Sequence, residues 1–155
     1  MKKNIFIENI NGNITSRPPV WFMRQAGRIL PSYLKLKQTY SFDEMMQNKE
    51  LAAKVTLLPL DDLGVDAGIL FSDILVIPKA LGLKLEFTAK GPKFHNALDE
   101  NINIENLKFN PQKLDYIYNN IKEIKFQRPE TPLIGFCGGP LTTFLFMFRR
   151  NELNK

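Results

Sequence analysis

The sequence is poor in the residues on which many kinds of protein depend. Its 155 residues include one cysteine, Cys137, one histidine, His95, and one tryptophan, Trp21. A single thiol excludes an internal disulfide and leaves no second soft ligand for a structural metal. Cys137 therefore reads as a small buried residue near a strand end. His95 follows Gly91-Pro92 with no second His, Cys or paired carboxylate at ligand spacing, so a hydrogen-bonded loop histidine is expected there and a metal site is not.

Long apolar runs are missing as well. Residues 68–75 and 141–148 are interrupted by Ser72, Asp73, Thr142 and Thr143 and fall well short of the roughly 18 residues a membrane span needs. The N-terminus turns polar again at Glu8-Asn9, without the apolar stretch of a secretory signal. A cytoplasmic protein with no membrane partner is the expectation. Gly138-Gly139 belongs to neither a G-x-G-x-x-G nor a G-x-x-x-x-G-K-[ST] pattern, which removes the usual nucleotide loops. The net charge of +5 comes from lysines scattered singly among Asn, Gln and Glu, which describes a solvated basic surface and not a nucleic-acid partner.

What is present has the balance of one globular core, with 44% hydrophobic and 24% charged residues. Residues 1–16 show no sustained period and read as an N-terminal arm, followed by the main body over 17–155. Val20-Trp21-Phe22-Met23, between prolines and a Gly turn, has the composition of a buried strand. Ser41 and Glu44 have the spacing of a capping box. Apolar residues at Leu51, Val55, Leu58 and Leu60 predict a helix that Gly64 stops, with Pro59 kinking it or ending it early. Residues 66–71 read as a second buried strand, followed by a short helix to Leu81, a partly exposed strand over 83–87 and a loop around Gly91-Pro92. Leu114, Ile117, Tyr118, Ile121 and Ile124 form a helical core stripe behind Pro111. Residues 133–136 read as a third buried strand, with a tight turn at Gly138-Gly139-Pro140 and an apolar helix after it. This alternation argues for an α/β fold with parallel strands.

In such folds ligands sit beyond the C-terminal ends of the strands. Three segments occupy that position. Arg24 and Arg28, flanked by the small residues Ala26 and Gly27, offer two planar guanidinium forks, which suit a substrate with several carboxylates or phosphates. Solvated arginines paired with nearby acids are the alternative. Asp73 emerges from an apolar strand into apolar company, so it is paired, caps the next helix, or is functional. The loop over 136–140 carries no ionisable side chain and reads as wall.

Taken together, Pro19-Val-Trp-Phe-Met-Arg-Gln-Ala-Gly-Arg28, Gly64-Val-Asp-Ala67 with Phe71-Ser-Asp-Ile-Leu75, and Pro132-Leu-Ile-Gly-Phe136 with Gly138 and Pro140 resemble the uroporphyrinogen decarboxylase family in order and spacing over about residues 17–147. The resemblance implies the N-terminal part of a (β/α)8 TIM barrel. It implies a cytoplasmic homodimeric carboxy-lyase of porphyrin and haem synthesis that removes four acetate carboxylates of uroporphyrinogen III as CO2, giving coproporphyrinogen III without metal or prosthetic group. By the same resemblance Arg24, Gln25, Ala26, Gly27 and Arg28 bind substrate. Asp73 would be catalytic, accepting the pyrrole N–H groups and balancing the positive charge of the protonated ring. Phe146 falls where the family usually carries a tyrosine, and a phenylalanine forgoes a hydrogen bond worth about 0.5–3 kcal/mol.

A barrel of this type takes about 250 residues, so the chain is expected to be an incomplete one. The family's C-terminal half, with a further serine and histidine of the pocket, would then come from another chain. The alternative is a non-catalytic truncated remnant that at most binds porphyrinogen. Corrinoid-linked methyltransferases share the barrel, but the Arg24 to Arg28 loop and Asp73 favour the decarboxylase branch.

Overall fold

The computed structural model describes residues 4–22, 29–88, 91–98 and 104–148. They fall into two units, one of Met1–Phe71 with Tyr116–Phe136 and one of Ser72–Asp115 with Cys137–Lys155.

The first unit is ordered by local capping chemistry and closed by strand pairing between distant segments. A short helix, α1 (Ile5–Ile10), forms in the N-terminal arm, with Asn4 accepting from the Phe6 amide. The arm is held by Asp66, whose two carboxylate oxygens each accept from the Arg17 guanidinium at 2.7 Å while Oδ2 also accepts from the Val20 amide at 2.6 Å. Arg17 holds the Asp66 carboxyl below its ordinary range. The sequence carries no period for this helix because it is one and a half turns long and its anchor lies some fifty residues away.

Three helices come next, α2 (Pro31–Thr39), α3 (Phe42–Gln47) and α4 (Lys49–Leu63). The expected capping box is present. The Ser41 hydroxyl accepts from the Glu44 amide, and the Glu44 carboxylate accepts from the Ser41 amide. Asn48 both ends α3 and caps α4, accepting from the Leu51 amide at 2.9 Å. The helix does not end early at Pro59. It runs on to Leu63 and stops at Gly64, whose φ of 65° is the left-handed conformation that a Cβ disfavours. Proline costs α4 one amide, but Pro59 lies on the buried side, where neighbours hold the helix in place.

The strand expected over 66–71 is short. β1 (Gly68–Ile69) pairs in parallel with β4 (Leu133–Ile134), in register Gly68 with Leu133. Between them in sequence, and back in this unit, comes α6 (Asp115–Gln127). Its Ile124 joins Ala53, Leu57 and Leu70 in a buried cluster, with Ile117 and Ile121 packed against it. Tyr118, expected in the same stripe, stands exposed because it lies about 100° around the helix from Ile117. The buried Asn120 side chain donates to the Met46 carbonyl at 2.8 Å, tying α6 to α3. Val20, Trp21 and Phe22 are also exposed and form no strand. One backbone bond, from the Asp66 amide to the Val20 carbonyl, joins this segment to the start of β1. Met23 lies outside the described residues.

The second unit holds α5 (Val76–Ala80), β2 (Leu85–Thr88), β3 (Gly91–Phe94) and α7 (Pro140–Met147). Gly91-Pro92 is not a loop. It opens β3, which pairs antiparallel with β2, and Pro92 is accommodated because a two-stranded hairpin leaves half its backbone groups unpaired. Leu75, Leu83, Phe94, Ala97, Leu98 and Met147 form the buried cluster.

One buried hydroxyl gives the fold a single-atom test. The Thr56 side chain, 1% accessible, accepts from the Phe71 amide at 3.0 Å. Replacing it by valine keeps the shape and leaves that buried amide unpaired, so Thr56→Val should lower the unfolding free energy by about 1–3 kcal/mol in urea titration.

Candidate functional site

The segment after β1 runs Phe71-Ser72-Asp73-Ile74-Leu75, with Phe71 in the first unit and Ser72 onward in the second. Phe71 is packed edge-on against Tyr33 and Phe42, with ring centroids 6.2 and 5.1 Å away. Leu75, 1% accessible, is a centre of the second unit's apolar cluster.

The Asp73 carboxylate is half-buried, and its Oδ1 accepts from the Leu75 amide at 2.7 Å. This closes a turn of the kind short acidic side chains favour and corrects the expectation of a helix cap. The cap position of α5 is Leu75 itself, and no side chain caps that helix. Among the described residues no cation forms a salt bridge with Asp73, and none hydrogen-bonds to its Oδ2. Burial raises the carboxyl above its usual range, and the Leu75 amide and the Lys79 charge pull it back less than burial pushes.

The loop over 137–139 lies against the same turn. A Cβ on Gly138 would come within 2.9 Å of the Ile74 carbonyl oxygen and closer still to the Thr143 hydroxyl. The backbone carbonyl cannot step aside, so glycine is required there for the loop to approach. Sequence reasoning does not find this contact, because Gly138-Gly139 before Pro140 signals a turn and nothing more. Cys137 is exposed, contrary to the expectation of a buried residue.

Arg24, Gln25, Ala26, Gly27 and Arg28 lie outside the described residues, so the expected arginine loop is neither placed nor displaced. His95 follows β3, and its Nε2 lies 2.6 Å from the Glu86 carboxylate, the hydrogen-bonded arrangement expected for it. Among the described residues no three His, Cys, Asp or Glu side chains gather at metal-binding distance, and no helix is long and apolar enough to cross a membrane. An open groove of about 620 Å³ lies in the first unit, lined by Leu30, Lys35, Leu36, Lys54, Leu58 and Leu63 among others. It contains none of the residues expected to carry chemistry.

Comparison with known proteins gives the Asp73 carboxylate its context. The family model for uroporphyrinogen decarboxylase (URO-D) matches residues 1–153. The chain belongs to the uroporphyrinogen decarboxylase family. A uroporphyrinogen decarboxylase of Hydrogenobaculum sp. is 43% identical over 156 residues, which take in 98% of this chain and 44% of that protein. One from Helicobacter pylori strain HPAG1 is 46% identical over 147 residues, with 92% and 43% covered. One from Christiangramia forsetii is 39% identical over 150 residues, with 94% and 44% covered. The chain thus spans less than half the length of these relatives. Among solved structures, a methyltransferase from Methanosarcina mazei superposes with a TM-score of 0.67 at 20% identity, covering 91% of this chain and 43% of its own. The fold is that of the N-terminal part of a (β/α)8 barrel, as the family resemblance implies and in keeping with the α/β alternation of elements.

The electrostatics of Asp73 make a stability prediction for this family member. A carboxyl whose folded pKa is raised favours folding below its unfolded pKa, and that advantage is lost as pH rises through the folded pKa. At pH 7 the ionised group therefore opposes folding. Asp73→Asn keeps an oxygen for the Leu75 amide and removes the charge. Its urea midpoint should exceed that of the parent at pH 7, and the difference should shrink to nothing below about pH 4.

Proposed function

We propose that this chain supplies the substrate-gripping part of a uroporphyrinogen decarboxylase, which converts uroporphyrinogen III to coproporphyrinogen III with release of four CO2. The observation that carries the reading is Asp73, a half-buried carboxylate with one oxygen fixed by the Leu75 amide and the other free of described partners. Such a group suits a ligand that brings its own N–H donors and develops positive charge during reaction. A tetrapyrrole does both. Protonation of a pyrrole carbon makes the ring cationic, the bond between the acetate methylene and its carboxylate breaks, and CO2 leaves. The bonding electrons then flow into the ring and neutralise it, after which the exocyclic methylene takes a proton to become methyl and the ring carbon gives up the proton it first gained. A fixed carboxylate beside the pyrrole nitrogens favours the cationic state over the neutral one, which lowers the barrier.

Arg24 and Arg28 take the substrate's peripheral carboxylates in this reading, with Gln25, Ala26 and Gly27 lining the same loop. Membership of the family supports that assignment. By the family resemblance Phe146 takes the place of a tyrosine whose hydroxyl would bond the substrate, so one hydrogen bond is left unmade in this reading. The enzyme works without metal or prosthetic group, as a homodimer in the cytoplasm, and the remainder of its barrel comes from the C-terminal part of a family member.

The test is anaerobic incubation with uroporphyrinogen III and chromatography of the hepta- to tetracarboxylate products. The chain is assayed alone and co-expressed with the C-terminal part of the Hydrogenobaculum relative. The co-expressed pair should turn over, Asp73→Ala should slow it by about 100- to 1000-fold, and Arg24→Gln or Arg28→Gln should raise KM by about 10- to 100-fold. Absence of turnover in every arm would replace this reading with that of a non-catalytic remnant.

A further inference from the structure

Asp66 does more than hold the N-terminal arm. It stands between the buried residues Val65 and Ala67, just before β1, so its backbone is fixed by the interior of the first unit. Its side chain is 10% accessible, and a carboxylate so shielded needs partners. The Arg17 guanidinium supplies one bond to each oxygen at 2.7 Å, and the Val20 amide supplies a third, 2.6 Å from Oδ2. The Asp66 amide in turn donates to the Val20 carbonyl at 3.1 Å. One residue thus engages both backbone groups of another that lies 46 places earlier in the chain.

The sequence explains why Val20 is the residue gripped. Pro18 and Pro19 have no amide hydrogen, so Val20 is the first residue after Arg17 that can donate one. Arg24 follows four residues later, which is at most about 14 Å of extended chain. An anchor so close limits where the Arg24 backbone can lie, whatever path the chain takes between. We propose that Asp66 is a positioning residue for substrate binding: it fixes Val20 against the start of β1 and with it the point from which the chain runs on to Arg24 and Arg28. The inference rests on the proposed function for the roles of those two arginines. Asp66 itself touches no substrate in it. The competing role, holding the arm through Arg17 and nothing more, makes different predictions.

Turnover of the co-expressed pair is measured for three variants. Asp66→Ala should raise KM for uroporphyrinogen III by at least about tenfold and change kcat by less than about threefold. Asp66→Asn keeps an oxygen for the Val20 amide and should recover most of that loss. Arg17→Met removes the ion pair to the arm and leaves the Val20 bond, so its effect should be smaller than that of Asp66→Ala. A second readout needs no turnover. Trypsin cleavage of the chain alone after Arg24 and Arg28 is timed by mass spectrometry against cleavage after Lys122 and Lys125 in α6, which reports unfolding of the whole. Asp66→Ala should speed the first pair relative to the second by at least about tenfold. Should Asp66→Ala unfold altogether, Asp66→Ser, polar but too short to reach the Val20 amide, replaces it in both measurements. An unchanged cleavage ratio, a loss carried by kcat, or a KM effect equalled by Arg17→Met would each overturn the proposal. A raised cleavage ratio in a pair that never turns over would support the grip on Val20 and count against the function.

Discussion

The parallel pairing of β1 with β4 is the contact on which the first unit depends. It is only two residues long on each strand, yet the Gly68 amide reaches the Pro132 carbonyl at 2.9 Å and the Leu70 amide reaches the Ile134 carbonyl at 3.0 Å. Parallel strands cannot be joined by a tight turn, so everything between them must be routed through a long crossover. That crossover includes the whole of the second unit's first segment and α6. Closing so long a loop for so few hydrogen bonds is unfavourable by itself. The buried cluster of Ala53, Leu57, Leu70 and Ile124 offsets the cost, because α4 and α6 contribute to the same apolar interior as β1.

Short strands give way early to loops, and the loops carry the residues with chemistry to offer. Asp73 lies two residues before Leu75, which is buried in the second unit's apolar cluster, and its carboxylate accepts from the Leu75 amide. The same burial that fixes its position raises its affinity for a proton. An exposed carboxylate would ionise at no cost and would be shielded by water from any cationic group bound beside it, so its influence there would be small. Half-burial makes the charge more costly to the folded chain and more effective toward a ligand.

Much of this arrangement is legible in the sequence, and the rest is not for reasons that differ from residue to residue. The Ser41–Glu44 capping box, the stop at Gly64 and the apolar helix after Gly138-Gly139 depend on neighbours in the chain and form, with Pro140, read as part of the turn, becoming the first residue of α7. The β2–β3 hairpin escapes a sequence reading because its pairing edge contains Gly91 and Pro92, residues that signal a loop unless the partner strand is known. Tyr118 reads as core because one residue's displacement around a helix is easily absorbed into a stripe. The exposure of Cys137, Val20, Trp21 and Phe22 has no local signal at all, since burial depends on what else is packed against a segment. At the site, Asp73 is visible as a carboxylate out of place among apolar neighbours. Its bond to the Leu75 amide and the requirement for glycine at position 138 are set by the path of the backbone.

The chemistry proposed for the site turns on the ionisation of one group. Carbon-13 NMR of the Asp73 carboxyl, titrated in the protein with and without a porphyrinogen ligand, measures it. A pKa above the ordinary aspartate value of about 3.9 in the free protein, falling when pyrrole N–H donors bind, is the predicted result. An Asp73 that titrates at or below that value in the free protein, or that is unmoved by ligand, would contradict the central claim.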